Sequence, residues 1–187
     1  MGTPLSATGT GQPSTAALGR GLAAAAVALS AATGPLADVS LDAAEAATLM
    51  GLLERAFRTV AYAQLVITRR AASVEVHRLD PVTAQQIDEL VAAPEHLADG
   101  STSIPVEVLR QGTAPHCNTQ EFMRADLHIS TSEARRRPTG GRLLVAPSPA
   151  EAYSQATPVE ANYPILVRAA SEASADIGNL AAIASRL

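Results

Sequence analysis

Arg135-Arg136-Arg137 is the densest concentration of a single chemistry in this chain of 187 residues. A guanidinium group is planar, permanently charged and rich in N–H donors, so three in a row suit phosphate oxygens, the sequence-independent part of nucleic-acid binding. Arg124 and Arg142 lie close enough in sequence to extend the patch. From Arg110 to Arg142 the cations Arg110, Arg124, Arg135, Arg136, Arg137 and Arg142 outnumber Glu121, Asp126 and Glu133. The same arginines could instead complement a helix dipole and cover apolar surface with their stems. The whole chain has a net charge of −4, so any nucleic-acid surface has to be a local patch. All 14 basic residues are arginine.

Other chemistries find less to work with. Metal ligation would draw on His77, His96, His116, His128 and Cys117, but the adjacent His116-Cys117 do not follow the spacing of structural zinc sites, and no metal is expected. Nor is a catalytic residue expected: there is no Gly-x-Ser-x-Gly, and Cys117 beside His116 is no dyad without a base aimed at the sulfur. Glu95, His96 and Asp99 read as a solvated cluster on a loop. Gly19-Arg20-Gly21-Leu22-Ala23-Ala24 has the G-x-G-x-x-A form of a dinucleotide loop, yet no strand precedes it, and no cofactor is expected. One cysteine gives no disulfide framework and fits a reducing, cytoplasmic location.

The elements that must position these groups read as all-α. Residues 1–37, with Arg20 their single charge, read as a flexible tail rich in Ala, Gly, Ser, Thr and Pro. Its uncharged run Gly21–Ala37 is shorter than the ~20 strongly apolar residues of a membrane span, so no membrane is expected as a partner. The helical domain then occupies 38–187. A spine helix is expected over Ser40–Ala72, where Ala46, Leu49, Leu53, Ala56, Val60, Ala63 and Ile67 form one stripe whose alanines admit a close partner helix. Asp42-Ala43-Ala44-Glu45 has the form of a capping box, and Arg69 and Arg70 suit the helix's negative end. Residues 71–109 form an acidic excursion, with a helix over Val82–Ala93, a turn at Asp99-Gly100-Ser101 and a short strand over Ser103–Leu109. Asn118 and Ser130 can each cap a helix, joined at His128-Ile129 in a helix-turn-helix shape, the second ended by Pro138. After a proline-rich connection through Pro147, Pro149 and Pro158, a helical hairpin is expected over Tyr163–Leu187, its second helix capped by Asp176 with Ile177, Leu180 and Ile183 inside.

Three fragments in this order, Leu49–Arg70, Phe122–Arg137 and Tyr163–Leu187, resemble the family called domain of unknown function 222, which includes the mycobacterial 13E12 repeat proteins. The core of the resemblance is Leu127-His128-Ile129-Ser130-Thr131-Ser132-Glu133-Ala134-Arg135-Arg136-Arg137. It covers roughly Asp38 to Leu187, with a poor match in the acidic excursion. The chain departs from the family where Pro138-Thr139-Gly140-Gly141 interrupts a helix that normally continues. The resemblance implies an actinobacterial chain and the N-terminal part of an HNH endonuclease-like protein, truncated before any His-Asn-His segment, and so no enzyme in itself. Two functions are expected from this: a non-catalytic module associated with DNA through Arg124, Arg135, Arg136, Arg137 and Arg142, or a helical interaction module that pairs with itself or another protein through Ser40–Ala72.

Overall fold

The computed structural model describes residues 14–106, 112–147 and 163–187. They are all-α: eight α-helices and one 3₁₀ turn, with no strand among the described residues. The chain divides into two compact units, residues 1–39 with 82–107 and residues 40–81 with 108–187, instead of one helical domain following a tail.

The first unit corrects the reading of residues 1–37 as a flexible tail. Residues 1–13 lie outside the described residues, but α1 spans Thr15–Leu36, with the Ser14 side chain accepting from the Ala17 N–H at its start. The tail composition belongs to the beginning of this stretch, while Gly21–Ala37 has eight alanines, the best helix former, among its seventeen residues. Helix α3 spans Pro81–Ala92 and α4 spans Pro94–Ala98, each opening on a proline whose missing N–H costs nothing in a first turn. Glu95 and His96 therefore stand on a short helix, and Asp99 is its C-cap. The expected turn follows, with Gly100 at φ 82° and Asp99 Oδ1 accepting from Ser101 N at 2.7 Å. That N–H holds the Asp99 carboxyl below its ordinary range. The strand expected over Ser103–Leu109 is absent over residues 103–106, and the remainder lies outside the described residues. Pro105 has no N–H for a ladder, and Ile104 lies against Gly19, where an added Cβ would come within 2.9 Å of its Cδ1.

The second unit is organised by α2, Ala43–Ser73. The capping box is formed: Glu45 N donates to Asp42 Oδ1 at 2.8 Å and Asp42 N to Glu45 Oε2 at 2.9 Å. The stripe that begins at Ala46 is not the face this helix buries. Leu53, Val60 and Ile67 are 43%, 49% and 63% exposed, while Leu65, about 160° around the helix from Ile67, is buried, as is Thr68, about 100° from it. Leu65 joins a core with Leu144, Val145, Ala170, Ile177, Leu180 and Ala184.

Helix α5 spans Thr119–Ala125 and α6 spans Thr131–Leu144. Both expected caps are formed, Asn118 Oδ1 accepting from Glu121 N at 3.0 Å and Ser130 Oγ from Glu133 N at 3.2 Å. The turn between them passes through His128 in the left-handed region, at φ 51°. Pro138 does not end α6. The helix loses one backbone hydrogen bond there and continues, because Gly140 and Gly141 bring it onto α2, with built Cβ positions only 3.2 Å from both Leu65 δ-carbons and 3.1 Å from the Leu65 carbonyl oxygen. Arg69 and Arg70 serve this end of α6 through its final carbonyls. Arg69 Nη1 donates to the Val145 carbonyl at 2.6 Å and Arg70 Nη2 to that of Ala146 at 3.3 Å.

The proline-rich connection through Pro149 and Pro158 lies outside the described residues. The closing hairpin is formed by α7, Pro164–Ser171, and α8, Ile177–Ala184, with Asp176 Oδ1 accepting from Asn179 N at 2.9 Å. Ile177 and Leu180 are inside as expected; Ile183 is 47% exposed, and Ala184 takes the buried position.

Candidate nucleic-acid interface

Helices α5 and α6 carry all five arginines of the candidate patch, and their geometry sorts them into two groups. Arg136 grips Glu133 with both ends of its fork, Nε to Oε2 and Nη2 to Oε1, each at 2.9 Å. Arg137 Nε donates to the same Oε1 at 2.8 Å. Two cations thus share one carboxylate at spacings of three and four residues, where helical side chains meet. The hydrogen bond from Arg136, then that from Arg137, holds the Glu133 carboxyl below its ordinary range despite partial burial. Glu133 in turn pushes the Arg136 pKa up. The Arg137 side chain is only 14% exposed and is largely committed to the fold.

Arg124 and Arg135 face differently. Both are exposed and both line a cavity of about 340 Å³ between α5 and α6, together with Asn118, Glu121 and Thr131. Arg142, two turns beyond Arg135 on α6, is exposed beside a second cavity of about 530 Å³ lined also by Arg69 and Pro138. Gln120 borders both cavities, a polar residue that the sequence pattern did not single out. Among the described residues, neither Arg135 nor Arg142 makes an ion pair. The structure therefore brings Arg124 and Arg135 together on one opening, sets Arg142 beside the neighbouring one, and turns Arg136 and Arg137 toward Glu133.

The base of this interface is held by a contact that sequence reading missed. His116 Nε2 lies 2.9 Å from Asp126 Oδ2, both side chains mostly covered, and the imidazole meets the Phe122 ring edge-on at 5.7 Å. His116 N also donates to the His77 carbonyl at 3.3 Å. No spacing rule links a loop histidine to the C-cap aspartate of the next helix. Cys117 is exposed, and its amide donates to Glu121 Oε2 at 2.6 Å. Glu121 pushes the thiol pKa up, which keeps sulfur in its less nucleophilic form. The Cys117 amide in turn holds Glu121 below its ordinary range.

No group of three or more His, Cys, Asp or Glu is placed to hold a metal ion among the described residues. The G-x-G-x-x-A segment lies inside α1, with none of the strand and turn that present a phosphate to such a loop. One helix among the described residues, Thr15–Leu36, is long and apolar enough to cross a membrane. No protein-family model, curated protein or solved structure matches this chain.

Proposed function

We propose that the chain is a non-catalytic helical module that associates with DNA through the phosphate backbone, using the face of α5 and α6 that carries Arg124, Arg135 and Arg142. The observation that carries this reading is the sorting of the arginines: these three are exposed around adjoining cavities, while Arg136 and Arg137 share the single carboxylate of Glu133. Arg135 and Arg142 make no ion pair among the described residues, and such guanidinium groups displace the counterions condensed on DNA when they meet its phosphates, which is the main source of backbone affinity. The carboxylates of Glu121 and Glu133 beside the patch disfavour an extended anion and limit the footprint to a few phosphates. The sequence resemblance to the N-terminal part of HNH endonuclease-like proteins supports the same assignment and an actinobacterial, cytoplasmic setting.

The test is fluorescence anisotropy with a labelled DNA duplex across a salt series. Each phosphate contact contributes a slope of about −0.9 in log affinity against log salt, so contacts from these three arginines predict a slope of about −2.7. Replacing Arg124, Arg135 and Arg142 together by Ala should remove that dependence, while Arg136→Ala with Arg137→Ala should change it much less. Unchanged binding in the first variant, or no binding by the native chain at low salt, refutes the assignment.

A further inference from the structure

We propose that the open face of α2 is a self-association surface, on which a second copy of this chain lays its own α2 antiparallel. The inference is independent of DNA binding. Helix α2 carries apolar side chains on two sides, and the core of its unit uses only one of them. On the other side Ala46, Leu53, Val60 and Ile67 recur every seven residues, with Leu49, Ala56 and Ala63 between them at the same period. Two interleaved sevens are the a and d positions of a helix pair, and a stripe of this period stays against one partner over several turns. A helix that needed only its own core would have no use for this second repeat.

The occupant follows from area and shape. Met50, Leu52, Leu53, Phe57 and Val60 are 71%, 60%, 43%, 62% and 49% exposed. They offer roughly 500 Å² per copy, and the roughly 1,000 Å² of a symmetric pair reaches the size at which specific interfaces begin. An isologous pair sets the same surface on both subunits, so the stripe must complement itself. Run antiparallel about residues 54 and 55, it does: Leu53 falls opposite Ala56, Val60 opposite Leu49, and Ala46 opposite Ala63, with Ile67 beyond the seam, level with Asp42. Met50 flanks the seam opposite Phe57. Large residues meet small ones at the centre, which lets the helices approach closely. Glu54, Arg55 and Arg58 lie outside the seam, and Arg58 already pairs with Glu54 at 2.9 Å. The antiparallel arrangement also sends the packed ends of the two α2 helices to opposite ends of the seam.

Sedimentation velocity on the full chain over a wide concentration range tests this. The expected result is a concentration-dependent species of twice the 19.2 kDa chain. Leu53→Glu and Phe57→Glu, both at exposed positions, should each shift it to monomer by a tenfold or greater loss of affinity. Their circular dichroism should stay native, and Val60→Glu provides an independent disruption further along the seam. A strict monomer, as when this face is covered by another part of the same chain, overturns the proposal, as does a dimer that tolerates all three charges. A chain carrying Met50→Cys, Phe57→Cys and Cys117→Ser should cross-link 50 to 57 between copies; links of 50 to 50 overturn the antiparallel arrangement.

Discussion

Alanine at Gly141 should destabilise the protein, although it replaces the poorest helix former but proline with the best. On propensity alone the change gains about 1 kcal/mol. Its Cβ, however, would sit 3.1 Å from the Leu65 carbonyl oxygen and 3.4 Å from Arg69 Cβ. The first of these is backbone inside a helix and cannot rotate away, so α6 must lift from α2 and loosen the Gly140–Leu65 contact. Overpacking of this kind costs about 1–3 kcal/mol, which, set against that gain, leaves a net loss of up to about 2 kcal/mol. Gly51 is the internal control: it is exposed in α2, a Cβ there meets nothing within 4 Å, and Gly51→Ala should gain about 0.5–1 kcal/mol. Both positions belong to the same compact unit and report on one transition. Thermal unfolding followed by circular dichroism should separate the variants on opposite sides of the native chain, at about 3–6 °C per kcal/mol. If Gly141→Ala melts at or above the native temperature while Gly51→Ala behaves as expected, the close approach of α6 to α2 is wrong.

Further outcomes follow from the caps and charges. Arg69→Met keeps the stem but removes the donor to the Val145 carbonyl at 2.6 Å, and urea unfolding should show a loss of about 1.5–3 kcal/mol. Asp42→Ala breaks the capping box at the start of α2 and should cost about 1 kcal/mol, with Asp42→Ser restoring most of it. Because the folded state lowers the Glu133 pKa, its contribution is fully present above the ordinary value of 4.5 and is lost as pH falls through the folded value. The melting difference between the native chain and Glu133→Gln should therefore be constant near neutrality and shrink on acidification below that value; a difference that grows in acid contradicts the assigned pairing. The same variant releases Arg136 and Arg137, so it should bind the DNA duplex more tightly than the native chain in the anisotropy assay.

What was legible in the sequence was local. The side chains of Asp42, Asn118, Ser130 and Asp176 cap helices by reaching an amide three residues on, and all four do so. Periodicity identified which residues of α2 share a face, but periodicity carries no information on which face the rest of the chain will cover. Pro138 illustrates the opposite failure: its local cost is real, and contacts more than seventy residues away outweigh it. Averaging composition over residues 1–37 hid α1, because the glycines, serines and prolines at one end masked the alanines at the other. Part of the arginine partition was readable in advance, since Glu133 stands three and four residues before Arg136 and Arg137, the spacing of helical ion pairs. The remainder depended on how α5 and α6 face each other across a turn, which neither helix encodes by itself.

The second half of α6 also dictates an order of events. Pro138, Thr139, Gly140 and Gly141 together have almost no intrinsic tendency to form a helix, so this part of α6 cannot lead folding. It must condense onto an α2 that is already formed, and that requires closing a loop of more than seventy residues before any contact rewards it. During synthesis, α2 emerges complete while its future lid is still untranslated, and Leu65 waits uncovered until the glycines arrive. In the finished protein the same dependence runs backwards: when α2 opens around Leu65, amides at the end of α6 should lose their protection with it, since that end of α6 has no stable state without α2.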